Sequence, residues 1–140
     1  MKKRKIKVKV GDVFQIPLPD GRFAYGRVYR DAAIGIYHEV STAPNTPPIG
    51  SRNFIFNVGI YEDVLTSGQW PIVGHDKFDE GESEWPPPNC IKDPLSGKYR
   101  IYFKGEMRPA TEEECKKLEE AAVWDAHHIT ARILREMEKK

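Results

Sequence analysis

Residues 10–29 read V-G-D-V-F-Q-I-P-L-P-D-G-R-F-A-Y-G-R-V-Y, and this stretch decides the fold. Val13, Ile16 and Leu18 hold one apolar phase, Asp20-Gly21 interrupts it, and Phe23, Tyr25 and Val28 resume it. Asp-Gly between apolar runs predicts a β-hairpin, because a type I′ turn needs positive φ at both central residues. Pro17 and Pro19 cannot donate ladder hydrogen bonds, so the first strand is expected at an edge or with a bulge. An aromatic hairpin of this kind starts a small twisted sheet or barrel. It brings no catalytic group of its own.

Working outward, Ile6, Val8 and Val10 alternate with Lys7 and Lys9, the pattern of a half-buried edge strand with lysines on its wet side. Further strands are expected at 34–40, 53–60, 70–74 and 98–103, with a Pro-rich loop at 41–51 and an acidic loop at 76–88 that ends in a stiff Trp-Pro-Pro-Pro run. The tail reads as helix over 111–138. Thr111 and Glu114 have capping-box spacing, and Cys115, Leu118, Ala122, Ala126, Ile129, Ile133 and Met137 trace one apolar stripe. Such a helix would be about 40 Å long, too long for a small barrel to cover, so a kink or a protruding end is expected. The predicted class is α+β: a bent antiparallel sheet or SH3-like barrel of five to six strands with a long C-terminal helix. One domain spans 1–140, with a basic, disordered leader at 1–5, sheet and loops over 6–103, and the helix.

With 22 basic and 21 acidic residues among 140, the chain has no overall field that demands a nucleic acid or membrane partner. The charge is uneven: residues 1–40 carry nine Lys or Arg against four Asp or Glu, and residues 41–90 carry two against seven. Two cysteines, Cys90 and Cys115, are too few for a disulfide scaffold and read as reduced thiols of a cytoplasmic protein. No apolar run reaches the roughly 20 residues a bilayer needs, and the lysine alternation after the basic start is not the apolar core of an export signal.

Four histidines (His38, His75, His127, His128) raise a metal reading, but none falls at ligand spacing. Adjacent His127 and His128 should point about 100° apart on a helix. No cofactor, metal or catalytic residue is assigned, and no glycine-rich phosphate loop follows a strand. Phe23, Tyr25 and Tyr29 beside Arg22, Arg27 and Arg30 would form a nucleic-acid platform, though a net charge of +1 gives that reading little drive. The acidic middle is the favoured contact surface for a basic protein partner. Glu62, Asp63, Asp76, Asp79, Glu80, Glu82 and Glu84 surround Trp70, Phe78 and Trp85, offering aromatic contact area with charge for steering. Trp124 and His128, on the second helix face with Ala121 and Ala131, form the reserve face, for a partner or a homodimer.

The segment G-D-V-F-Q-I-P-L-P-D-G-R-F-A-Y-G-R-V-Y with I-G-I-Y after it, W-P-I-V-G at 70–74, and R-P-A-T-E-E-E-C-K-K-L-E-E-A-A-V-W-D at 108–125 resemble signatures of the immunity protein 26 family of bacterial polymorphic toxin systems. The resemblance implies a small cytoplasmic antidote that binds a cognate toxin domain and blocks it by occlusion. Some relatives carry a phosphotriesterase label, which is the enzymatic alternative; the clustered His and Asp ligands of such an enzyme do not stand in this sequence.

Overall fold

The computed structural model describes residues 5–138, so most of the basic leader, Met1–Arg4, and the last two lysines lie outside the described residues. The hairpin forms as expected. Strands β1 (Asp12–Pro17) and β2 (Phe23–Tyr29) pair antiparallel, with Val13 opposite Arg27 and Ile16 opposite Ala24. Its turn differs from the predicted type. The Gly21 N–H donates to the Leu18 carbonyl (3.1 Å) and the Leu18 N–H to the Arg22 carbonyl (2.9 Å), which makes Pro19 and Asp20 the central residues. Only Gly21 takes a positive φ, 90°. This is a type I turn closed by a bulge glycine, with proline at its preferred position. The two-residue turn with both φ positive occurs instead at Lys104-Gly105 (52° and 80°).

Strands β3 (Ala33–Tyr37) and β4 (Phe54–Ile60) continue the meander. Short β5 (Ile72–His75) pairs with the start of β1 through a register shift at Val13/Phe14. Beyond Gln15, which bonds the Pro71 carbonyl, β1 has no further partner on that side among the described residues, and there Pro17 costs no ladder bond. The expected strand over residues 6–10 is absent. Ile6 donates one backbone bond to Thr66 and Val8 packs on the core, but among the described residues no strand pairs with this segment, and the Lys9 N–H turns instead to Asp12 Oδ2 (2.8 Å).

Both faces of this sheet are covered. Phe14, Ile16, Ala24, Val28, Ile34, Ile36, Phe56, Val58 and Ile60 face a core closed by Val64 and Leu65 of α1 (Glu62–Thr66), Trp70, and Ile129 and Ile133 of the C-terminal helix. The alternate residues Val13, Tyr25 and Tyr37 form a second, smaller cluster on the opposite face.

A second sheet follows: β6 (Asn89–Lys92), β7 (Tyr99–Phe103), β8 (Glu106–Ala110) and β9 (Glu119–Glu120), in the order β8-β7-β6-β9. The predicted class, α+β with a C-terminal helix, holds, but the strands form two open mixed sheets of six and four strands.

The continuous helix over 111–138 does not form. The capping box at Thr111 and Glu114 is present, yet α2 (Glu112–Cys115) lasts one turn and α3 runs only over Ala126–Glu138. Between them, β9 pairs in parallel with β6, and β10 (Val123–Trp124) pairs in parallel with β4, so one short segment is an outer strand of both sheets. These tertiary backbone bonds outweigh helix propensity. Gly59 permits the approach, since a Cβ there would stand 2.9 Å from the Ala122 carbonyl oxygen. The cysteines correct the reduced-thiol reading. Cys90 on β6 and Cys115 at the end of α2 form a disulfide, with Cα atoms 5.2 Å apart.

Candidate functional site

Arginine at an inward position of a strand must find buried acceptors or pay heavily for desolvation. Arg27 lies between Tyr25 and Tyr29 on β2 and is 1% exposed. Its Nε donates to the Asp76 carbonyl (2.8 Å), Nη1 to Glu82 Oε2 (2.8 Å), and Nη2 to the Lys77 carbonyl (2.8 Å) and Glu82 Oε1 (3.2 Å). The Phe78 ring caps it, with the guanidinium carbon 3.7 Å from the ring centroid, a cation–π contact. Arg52 adds a second cation, donating Nη1 to Asp76 Oδ2 (3.0 Å) and Nε to Glu82 Oε2 (2.9 Å). Asp76 Oδ2 also accepts from the Tyr37 hydroxyl (2.6 Å) and the Gly50 N–H (3.1 Å).

The acidic loop is therefore a clamp over the polar face of the sheet. Two of its carboxylates, Asp76 and Glu82, serve as the counter-charges of Arg27 and Arg52. The loop at 41–52 covers the rest of that face, where the Tyr25 hydroxyl meets Ser41 (2.8 Å) and Thr46 (3.2 Å) and the Gln15 side chain accepts from the Asn45 N–H (2.6 Å).

The hydrogen bonds from Arg27 hold the Glu82 carboxyl down at about 2, against an ordinary value of 4.5. Burial pushes Asp76 up, but bonds from Tyr37, Gly50 and Arg52 outweigh it and leave it below the ordinary range. Burial and the bond to Asp76 push the Tyr37 phenol well up. The unfolded chain thus takes up a proton at Glu82 before the folded chain does. The stability Glu82 supplies is complete above about pH 5 and lost as the pH falls towards 2. Urea midpoints measured between pH 6 and pH 2.5 should fall steeply below pH 4.5 in the native chain and less in a Glu82→Gln chain.

The predicted contact residues divide into three groups. Asp76, Phe78, Asp79 and Glu82 come together around Arg27 and Arg52, and Glu84 pairs with Arg30 (2.9 Å), whose guanidinium stands 5.9 Å from the Trp85 ring centroid. Glu62 and Asp63 start α1, on the opposite side of the sheet. Trp70 is 4% exposed and belongs to the core, and Asp76 is equally buried; neither is presented to a partner. The carboxylates left facing solvent on the loop are Asp79, Glu80 and, paired with Arg30, Glu84, beside one exposed cation, Lys77.

The nucleic-acid platform is not a surface. Tyr25, Arg27 and Tyr29 are buried beneath the two loops. Sequence reading missed the roles of Arg27, Arg52 and Tyr37. The available signal was the alternation of β2, which puts Arg27 in phase with Tyr25 and Tyr29.

The reserve face does come together. Val123, Trp124, His128, Ala131 and Arg135 line an open groove of about 330 Å³, while Ala121 lines a different cleft. Beside the groove the His127 and His128 rings lie 4.0 Å apart, closer than helical spacing suggests, and Asp125, His127 and His128 bring their ligand atoms within 4.8 Å of one another on exposed surface. His75 bonds Asp12 (2.9 Å) on β5, at the edge of the six-stranded sheet opposite β10. It does not converge with His128 on a common centre.

The second cleft, of about 410 Å³, opens between the two sheets. Its walls are mostly small and apolar, and at its mouth the Tyr102 hydroxyl donates to Asp31 (2.5 Å).

No helix among the described residues is long and apolar enough to cross a membrane. Neither a curated protein nor a solved structure gives a significant match to the chain. A family model described as immunity protein 26 matches residues 9–101, about two thirds of the chain, from the residue before β1's entry turn to the middle of β7. The tail signature at 108–125 lies outside the matched residues. The match takes in the hairpin, the clamp arginines and the whole acidic loop, and the chain belongs to the immunity protein 26 family.

Proposed function

We propose that this chain neutralises a cognate toxin domain by binding it, with no bond made or broken by its own residues, and that the outer side of the acidic loop is the contact surface. Membership of an immunity family supports the class of function. The observation that carries the surface is the clamp. Arg27 and Arg52 consume the inner carboxylates and Arg27 fixes the loop backbone, while exposed Glu80, and Asp79, 71% exposed and only at 3.5 Å from Arg52, remain on its outside. Asp79 and Glu82 close a local turn, with Asp79 N–H to Glu82 Oε1 and Glu82 N–H to the Asp79 carbonyl, both 2.9 Å. A loop ordered in advance loses little conformational freedom on association, and its charge would steer a basic partner. The place of action would be the cytoplasm, where the toxin meets its target.

The test is the double variant Asp79→Lys/Glu80→Lys, which keeps Arg27, Glu82 and Asp76 and gives up only the outlying Asp79–Arg52 pair (3.5 Å). The single variant Glu80→Lys, which touches no clamp residue, controls for that loss and should weaken binding in the same direction. Titrated against the toxin domain encoded beside the gene, the double variant should bind at least about tenfold more weakly, with most of the loss in association rate and a flatter salt dependence. Unchanged affinity removes the loop as the contact surface.

A further inference from the structure

The cleft between the sheets has the form of a receptor for one long cationic side chain. We infer that it accepts an arginine of the protein partner, an assignment that rests on the binding function proposed above. Its floor and walls come from short residues, Ala32, Ala33 and Ala122 among them, with Ile60 and Ile91 adding apolar surface. Asp31 is the single charged residue among the described residues that line it. At about 410 Å³ it has the volume of a small-ligand pocket. That volume is ample for one extended side chain.

The mouth is built for a cation. Asp31 has φ 66° and Ala32 φ 46°, a left-handed pair that is unfavourable at the alanine. Bonds on either side hold this pair in place: Arg30 N–H to the Glu84 carbonyl (2.8 Å) and Ile60 N–H to the Ala32 carbonyl (2.9 Å). The result is an exposed carboxylate at the lip of an apolar slot. Tyr102 occupies one oxygen of Asp31, orienting the group and leaving the other without a hydrogen-bond partner among the described residues. The Arg30 guanidinium, the nearest cation in sequence, is paired with Glu84.

A guanidinium suits this geometry better than an ammonium. Its planar donors match a carboxylate, it stacks on an aromatic ring such as Tyr102, and its three-carbon stem can lie on the apolar walls. The cleft is also continuous with the acidic loop, because Pro86 lines it directly after Glu84 and Trp85. A basic partner steered by Asp79 and Glu80 would arrive with its cations beside this opening.

The test needs no toxin, so a failed cleft leaves the binding function standing. The probe is n-butylguanidinium, titrated into the ¹⁵N-labelled full chain and followed by amide shifts, with neutral n-butylurea and n-butylammonium as comparisons. Shifts should cluster at Ala32, Asn89, Ala122 and Val123 with a roughly millimolar dissociation constant. Butylurea and butylammonium should each bind more weakly. Asp31→Asn, which tolerates the left-handed backbone, should weaken butylguanidinium about tenfold or more while leaving the rest of the spectrum in place. Scattered shifts, equal binding of butylurea, or an unaffected Asp31→Asn chain would overturn the site. Butylammonium binding as tightly as butylguanidinium would overturn its assignment to arginine.

Discussion

Replacing Arg27 with alanine should destabilise the chain by about 3–5 kcal/mol, read as a lower urea midpoint at pH 7 with the slope nearly unchanged. The arginine is 1% exposed and sits under Phe78, and its removal leaves Glu82 without two hydrogen bonds and the Asp76 and Lys77 carbonyls without their donor. Glu82 keeps the Arg52 Nε (2.9 Å), so the cost is that of a half-buried carboxylate and two backbone carbonyls stripped of their main donor, not the net worth of one pair. The double variant Arg27→Met/Glu82→Gln removes both charges and should recover a good part of the loss. Neither variant should leave the loop ordered as before, so amide exchange over residues 76–85 should accelerate in both. A loss under 1 kcal/mol for Arg27→Ala would mean that the clamp does not hold the loop. The acid sensitivity expected from Glu82 is the same interaction read through its proton.

Reduction of the Cys90–Cys115 disulfide should cost roughly 3–4 kcal/mol, the loop-closure entropy expected for two residues 25 apart in sequence. The bond ties α2 to β6 just before the chain crosses to its parallel pairings, where the Ala121 N–H meets the Cys90 carbonyl (2.8 Å). Its loss should therefore loosen residues 111–124 first. The check compares urea midpoints of the oxidised chain, the same chain in reductant, and Cys115→Ser. The last two should coincide well below the first, and three equal midpoints would contradict the expectation. Reducing surroundings keep most thiols free, so the measured difference also gives the stability the chain would lose there.

The meander was legible because its signals are local. Asp20-Gly21 between two apolar runs placed the hairpin, and short β-branched and aromatic runs between turn signals placed β3, β4 and β7 within a few residues. The tail misled because its apolar stripe is real as a pattern but is used by two different partners. Ile129 and Ile133 bury themselves on the sheet as helix residues, while 119–124 satisfy their backbone against Asn89–Cys90 and Gly59–Ile60. Nothing local to Glu119 or Val123 marks that choice. The acidic loop was found by composition and its interior role was missed for the same kind of reason. Five carboxylates between Asp76 and Glu84 look like a solvated surface until Arg27, 55 residues from Glu82 along the chain, is seen beneath the loop. The cleft at Asp31 and Tyr102 joins residues 71 apart, and no spacing rule reaches that far.

The central claim is inhibition by occupancy, and a stoichiometric titration of purified toxin activity tests it most directly. Inhibition should rise linearly and end at one chain per toxin, the toxin should keep its mass, and activity should return when the complex is dissociated. Complete inactivation by a small fraction of an equivalent, continuing with time, would show turnover by this chain and contradict the account.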